Sequence, residues 1–441
     1  MSSATPNKPL PHAVIVGGGF GGLNAAHALA KAPVRVTLID QRNYHLFRPL
    51  LYQVAAGLLS ADEIAVPLRS ILSRQGNVDV LMDEVTSVDA AGHRVLLKHG
   101  QMSYDFLVLA TGISNNYFGH DDWQKYAPSL QALDDADHIR GRILCAFETA
   151  ERLVALGEGD PDTIQSLLTF VLVGGGTVGV EMASTMAEMV RMSLTEDFRY
   201  INLSKTQIHL FEAAPRLLGE YPESLSTKAQ RHLEKLGVMV HTSTRVEMVD
   251  ATGVVVSGIL GLGKHFPSRT VLWSAGVLPS PAARWLSAPT DEHGRVQVNP
   301  DFSVPGRLNI FAIGDTAHVV APSRNLFGFR HSQPMTLPGV AQPAIQAGQY
   351  VAKVIGNRVK GQPPPRPFWY WDKGELAIIG RMSAIADLGF VRFSGFSAWL
   401  LWVGVHIYFL IGFANRLFVM LQWAVSFVTK RRQVRILPDQ M

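Results

Sequence analysis

Four short apolar runs set the rhythm of this chain. Ala13–Val16 and Phe170–Val173 each lead straight into a glycine loop, GGGFGG and GGGTVGVE. Downstream of each comes a partner run, DFLVLATG at Asp105–Gly112 and TVLWSAG at Thr270–Gly276. All four read as buried strands that end in small residues, where a ligand can approach the backbone. Helical stretches follow at Leu23–Ala32, Val180–Met192 and Leu225–Leu236. Strands alternating with helices predict parallel sheets in an α/β fold, and the pairing of runs predicts two copies of one unit.

The glycine spacing gives that unit its chemistry. Gly17, Gly19 and Gly22 have the G-x-G-x-x-G interval, between a strand and a helix. The first glycine permits the tight turn, the second lets backbone N–H groups reach a pyrophosphate, and the third lets helix and strand pack closely. The helix N-terminus then faces the anion. A second strand, Val34–Ile39, ends in Asp40, 18 residues past the last glycine, where a carboxylate can accept hydrogen bonds from ribose hydroxyls. Gly174, Gly176 and Gly179 repeat the interval, with Glu212 as the matching acid after Gln207–Phe211. Glu212 lies 33 residues past Gly179, beyond the usual ~20, so Met192–Thr206 reads as an inserted loop. An acid at that place repels a 2′-phosphate and favours NADH over NADPH. Arg216 argues the other way, since it can pair with that phosphate. Glu181 lies two positions past Gly179 and reads either as a cofactor contact or as an acid stabilised by the helix dipole.

Composition narrows the partners. The chain has 441 residues, 47% hydrophobic and 17% charged, which excludes disorder, collagen and coiled coil. Cys145 is its only cysteine, so neither a disulfide framework nor a redox-active cysteine pair is available within the chain. The 15 histidines show no ligand-like spacing, and no metal is expected. The net charge is +4, yet residues 366–441 carry nine Lys/Arg and four acids, a balance of +5 that leaves −1 for the rest. No secretory signal is visible at the start.

The basic excess sits in an apolar tail. Beyond the stiff connector PPPRP at Pro363–Pro367 come five of the eight tryptophans, and 25 of the 33 residues in Phe396–Val428 are apolar. Phe396–Phe413 has the length of a span, 18 residues without Asp, Glu, Lys or Arg. Leu417–Val428 is too short to cross, and Asn415, Gln422, Ser426 and Thr429 fall on one helical stripe, as for a helix lying in the interface. Trp399, Trp402 and Trp423 suit the headgroup boundary. Lys430, Arg431, Arg432 and Arg435 can pair with anionic lipid. The favoured reading is two helices lying on the membrane, with a true span and a dimerisation helix as alternatives. Nucleic acid is disfavoured as a partner, because the cations sit in an apolar segment.

Taken together, the two glycine units, the ATG strand end Ala110–Gly112 and NIFAIGD at Asn309–Asp315 resemble the two-dinucleotide-binding-domain flavoproteins. Within that group the chain is similar to the type II, non-proton-pumping NADH:quinone oxidoreductases over Pro11–Leu437. YHLFRPLLYQVAAG at Tyr44–Gly57, GGGTVGVE at Gly174–Glu181, LPGVAQPAIQ at Leu337–Gln346 and the tail from Trp371 carry that similarity. The resemblance implies two Rossmann-like domains, the second inserted in the first, plus a helical membrane-associating tail. The implied bounds are 11–125 and 291–362 for FAD, 126–290 for NADH and 363–441 for the tail. It assigns to FAD Gly17, Gly19, Phe20, Gly22, Asp40, Gln41, Arg42, Val85, Ala110, Thr111, Gly112, Gly314 and Asp315, the last reaching the ribityl chain. It assigns to NADH Gly174, Gly176, Thr177, Gly179, Glu181, Glu212, Ala275 and Gly276.

The implied reaction carries two electrons from NADH through FAD to a membrane quinone, with Glu181, Gln342 and Gln346 as the catalytic candidates. Gln342 and Gln346 are four apart and share a helix face; ordinary surface glutamines are the alternative. His406 is a candidate proton donor, though a lone histidine on an apolar face is more often structural. The implied setting is the cytoplasmic face of the inner membrane, bound peripherally to anionic lipid, with a homodimer among the expected assemblies. A sulfide:quinone oxidoreductase would need the missing cysteine pair. A ferredoxin or rubredoxin reductase leaves the apolar tail unexplained, and an NADH-sensing flavoprotein would show the same nucleotide motifs. Val319–Thr336 matches no motif and reads as a lid or a surface insertion.

Overall fold

The computed structural model describes residues 9–194 and 197–429, so the basic run Lys430–Arg435 lies outside the described residues. The chain divides into two compact units. One gathers the chain up to Leu46, Val66–Ser114 and Val277–Lys373; the other gathers Phe47–Ala65, Asn115–Gly276 and the chain from Gly374 onward.

The first unit is built on a six-stranded sheet in the order Ser303–Val304, Arg307–Ala312, Phe106–Leu109, His12–Val16, Arg35–Asp40, Val78–Met82. Every neighbouring pair is parallel except the first. Ala13, Val14, Ile15, Leu38, Ile39, Leu107 and Val108 are fully buried, as continuous apolar strands of a parallel sheet covered on both faces must be. Helix Phe20–Ala28 packs on helix Ala341–Val359 through two glycines: a Cβ on Gly348 would lie 2.3 Å from the Gly21 carbonyl oxygen.

The second unit holds a four-stranded parallel sheet, Val238–His241, Gln207–Phe211, Thr169–Val173, Thr270–Trp273. Its apolar core joins Val171, Phe211 and Val271 to Tyr117, Trp123 and Trp273. Both helices that follow the glycine loops begin three residues before the expected positions, at Phe20 and Thr177. The apolar period starts later than the hydrogen-bonded turn because the glycines themselves form the first turn.

Two helices make the tail, Phe396–Phe409 and Phe413–Thr429. The break at Leu410–Gly412, where Gly412 takes φ +92°, cuts the 18-residue apolar run into a 14-residue helix. At 1.5 Å per residue that helix is about 21 Å long, short of a ~30 Å hydrocarbon core. Among the described residues no helix is long and apolar enough to cross a membrane.

The tail also corrects the expected orientation of its polar stripe. Asn415 Nδ2 donates to the carbonyls of Asp62 and Glu63, and Gln422 Nε2 to that of Leu58. Asn415 and Gln422 therefore face the chain's own backbone rather than water, while Thr429 stays exposed. Trp402 and Trp423 are likewise turned inward. Trp402 is buried and stacks on His406, and Trp423 Nε1 donates to Gln53 Oε1 at 2.8 Å. What faces outward is apolar: Leu400, Tyr408, Phe413, Phe418 and Leu421 are each more than half exposed.

Candidate dinucleotide and acceptor sites

The two glycine loops are built alike. In the first, Gly17 takes φ +104° and its N–H donates to the Ile39 carbonyl at 2.8 Å. In the second, Gly174 takes φ +106° and donates to Phe211 at 2.8 Å. A Cβ on Gly22 would sit 1.8 Å from the Gly17 carbonyl oxygen, and one on Gly179 would sit 1.9 Å from that of Gly174. Neither loop tolerates a side chain at its third glycine. Around Gly19 and Gly176 an added Cβ would meet nothing within 4 Å. Open space thus lies at the amino end of each helix, where a pyrophosphate has to approach backbone N–H groups.

The acids match as well. Asp40 accepts from Gly18 N at 2.6 Å and Arg42 N at 2.8 Å. Glu212 accepts from Gly175 N at 2.6 Å and Ala214 N at 2.7 Å. The long loop before Glu212 does not displace it, because the Glu151 carboxylate holds that loop by accepting from the backbone N–H groups of Arg199, Tyr200 and Ile201. Arg216 spends its guanidinium on the carbonyls of Tyr221 and Gly219, at 2.5 Å each, and so is tied to its own loop. The residues present fit two dinucleotides: each cradle has room at the backbone and a fixed carboxylate one strand away.

In the first unit the remaining candidates gather at the carboxyl ends of neighbouring strands. A Cβ on Gly17 would lie 2.2 Å from the Ala110 carbonyl oxygen. Thr111 Oγ1 bonds Ser280 Oγ and Thr316 Oγ1, and Gly112 N donates to Thr316 Oγ1. Phe20 opens its helix and meets the His45 ring edge-on at 5.1 Å. Gly314 and Asp315 line a small cavity with Arg295, Pro338 and Gly339. Gln41 and Arg42 are exposed beyond Asp40, and Val85 stands apart in the antiparallel sheet Val85–Asp89, Arg94–Leu97, Gly100–Ser103. His45 escaped the sequence reading. It is buried, bonds the Gly18 carbonyl through Nδ1, and leaves Nε2 without a partner among the described residues.

In the second unit Thr177 is the first helical residue, and Ala275 and Gly276 follow the strand Thr270–Trp273 beside Gly174. Glu181 is the fifth residue of its helix, one turn further in than the sequence suggests. It is buried, and Ile378 N donates to its Oε1 at 3.3 Å. Burial pushes its carboxyl up to about 8, against a small lowering by Ile378 N–H. Tyr221 is buried nearby, its hydroxyl also raised by burial and by the negative charges of Glu375 and Glu181. The strand Glu375–Gly380 and Tyr221 come from different stretches of the unit, far apart in sequence, which is why the residue pattern does not bring them to Glu181.

The two glutamines separate. Gln346 Nε2 donates to the Trp371 carbonyl and its Oε1 accepts from Trp371 N, both at 2.9 Å. Gln342 Oε1 is buried with no partner among the described residues. His406 accepts no proton near neutrality: it is buried, its Nδ1 meets the Trp402 carbonyl at 2.8 Å, and burial brings its imidazole down to about 4. The tail helices enclose a cavity of about 90 Å³ lined by Gln53, Thr185, Glu188, Trp399, Trp402 and Trp423.

Comparison with known proteins places this geometry. A family model described as pyridine nucleotide-disulphide oxidoreductase matches residues 11–348. The chain is 42% identical to a type II NADH:quinone oxidoreductase of Mycobacterium tuberculosis, Ndh, covering 99% of this chain and 92% of that one. It is 40% identical to a second enzyme of that description in the same organism, NdhA, over 97% and 89%. Its fold is shared with NDH2 of Plasmodium falciparum at TM-score 0.84, covering 96% and 99%, at 22% identity. The chain belongs to the pyridine nucleotide-disulphide oxidoreductase family and, within it, to the type II NADH:quinone oxidoreductases.

Proposed function

We propose that this chain works at a membrane surface, holding FAD in the first glycine cradle and NADH in the second, and passing two electrons from NADH to a quinone. The observation that carries this reading is the presence of two cradles of matched geometry, each with its own carboxylate, in a chain with one cysteine. Bound FAD supplies the redox chemistry, taking two electrons from NADH and yielding them to the quinone. A redox-active cysteine pair within the chain is excluded by the lone Cys145.

The chain's own residues bind, orient and exclude water. Glu212, held by two N–H groups, presents fixed negative charge that disfavours a 2′-phosphate, and Arg216 is engaged elsewhere, so NADH is preferred to NADPH. Glu181, protonated at neutral pH, holds a neutral carboxyl at the nicotinamide end. Gln342 can accept through its unpartnered Oε1 from a flavin N–H and donate through its amide N–H to a quinone carbonyl. Gln346 positions it by fastening the helix to Trp371. The outward apolar face of the tail helices docks on a bilayer, with the chain on the cytoplasmic face that NADH supplies.

Purified with its native cofactor, the protein is expected to be yellow, to bleach with NADH and to regain colour with quinone. A colourless polypeptide that takes up no flavin overturns the reading. At the acceptor side, Gln342→Leu is expected to raise KM for quinone about tenfold, the scale of one well-placed hydrogen bond, while bleaching by NADH is unchanged. Gln346→Leu instead removes two backbone hydrogen bonds and should lower stability by ~2 kcal/mol in a thermal melt. Equal quinone kinetics for wild type and Gln342→Leu would remove Gln342 from the site.

A further inference from the structure

The segment that matches no motif folds into a hairpin whose surface has a chemistry of its own. Ser323–Arg324 pairs with Tyr370–Trp371, putting Arg324 opposite Trp371. Arg324 also bridges to Arg330 across the hairpin, and His331 N donates to the Ser323 carbonyl at 3.0 Å. The tip is closed by buried Asn325. Its Oδ1 accepts from Phe327 N at 3.1 Å and Phe329 N at 3.0 Å, and its N–H donates to the Phe329 carbonyl at 2.9 Å. Gly328, at φ +86°, completes the turn. This tight tip carries two large apolar rings into solvent, Phe327 at 53% and Phe329 at 66% exposure.

Cations ring the tip. Arg330 lies over the Trp369 ring at 4.8 Å, Lys373 over Trp371 at 5.1 Å, and Arg324 over Trp371 at 5.9 Å. Residues 319–336 and 366–373 together hold four Lys/Arg and a single acid, Asp372, which lies 4.0 Å from His331 Nε2. Stacking leaves the edges of a guanidinium free to donate in its ring plane.

We infer that the hairpin Ser323–His331, with Trp369, Trp371 and Lys373, is a docking site for an anionic phospholipid surface, built from residues other than the tail helices. Exposed Phe on a tight turn enters the acyl boundary, Trp rests at headgroup depth, and Arg and Lys meet lipid phosphate. An isologous contact with a second copy would set these cations against their own counterparts, which disfavours that occupant. A nucleic acid would use the cations but leave the two Phe rings in water.

The test uses the full-length enzyme with phosphatidylcholine vesicles, with and without phosphatidylglycerol, at low and high salt. R324Q/R330Q/K373Q is expected to lose on the order of 100-fold in partition to anionic vesicles at low salt and little on neutral ones. F327S/F329S should lose partition to both. Turnover of NADH with a water-soluble quinone in detergent should stay at the wild-type value in each. If either multiple variant loses turnover, R330Q and F329S alone decide by the same measurement. Unchanged partition overturns the proposal. So does a change of oligomeric state by light scattering without loss of partition, which assigns the patch to a second copy.

Discussion

A Gly179→Ala enzyme is expected to keep its flavin and lose NADH oxidation. The added Cβ would lie 1.9 Å from the Gly174 carbonyl oxygen and 2.8 Å from Ser274 Oγ. The first of these is backbone that cannot rotate away. It belongs to a glycine already committed to φ +106°. Relief requires the helix to move off the strand, and that carries the helix N-terminus away from the pyrophosphate. We expect kcat/KM for NADH to fall at least ~100-fold, which corresponds to about 3 kcal/mol of lost transition-state stabilisation. The flavin spectrum should persist, because the first cradle belongs to the other compact unit. Gly22→Ala is the mirror experiment. Its Cβ would lie 1.8 Å from the Gly17 carbonyl oxygen, and the purified protein should be colourless. A yellow Gly22→Ala protein, or wild-type NADH kinetics in Gly179→Ala, would reverse the assignment of the cradles.

Those cradles were the most legible part of the chain, because everything that builds them is local. Strand, loop, helix start and acid follow one another along about thirty residues in the first unit, and each residue type has a steric reason. The second unit shows where locality ends. Its acid falls late in the sequence, yet the loop that delays it is held by Glu151, some fifty residues upstream, which no spacing rule contains. The tail makes the same point more sharply. Its stripe of Asn415 and Gln422 looks like a water-facing side until the carbonyls of Leu58, Asp62 and Glu63 are brought beneath it. Polarity along a helix tells which faces differ, and the partner decides which of them turns inward. Gln342 and Gln346 are equivalent by periodicity, and only Trp371, 25 residues on, tells them apart. The hairpin around Asn325 had no motif to announce it. Its turn is held by one buried amide, and its neighbours Trp369 and Trp371 arrive from beyond a 19-residue helix.

Glu181→Gln should separate a buried neutral carboxyl from an exposed structural acid by pH alone. In the folded protein burial holds the group's proton up to about 8, whereas the ordinary value for glutamate is 4.5. Between those values the folded chain keeps a proton that the unfolded chain has released. Stability therefore falls as pH rises from 4.5, and the loss is complete above about 8. Glutamine has the same shape and no proton to lose. The stability gap between Glu181→Gln and wild type should widen across that window, reaching a few kcal/mol, and then level off. In a thermal melt this is a gain of several degrees for the variant on the alkaline side, and nearly none in mild acid. The kinetics should follow the same curve. Near neutrality the native carboxyl is uncharged, so Gln substitutes for it and NADH oxidation is close to wild type. Above about 8 the wild type ionises inside an apolar pocket beside Tyr221 and Glu375, and its rate falls while the variant's does not. Glu181→Ala should lose activity at every pH, because it leaves the Ile378 N–H with no acceptor and a void at the site. Parallel pH profiles for wild type and Glu181→Gln, in both melting and turnover, would show that the carboxyl is ionised throughout and has no part in holding the nicotinamide.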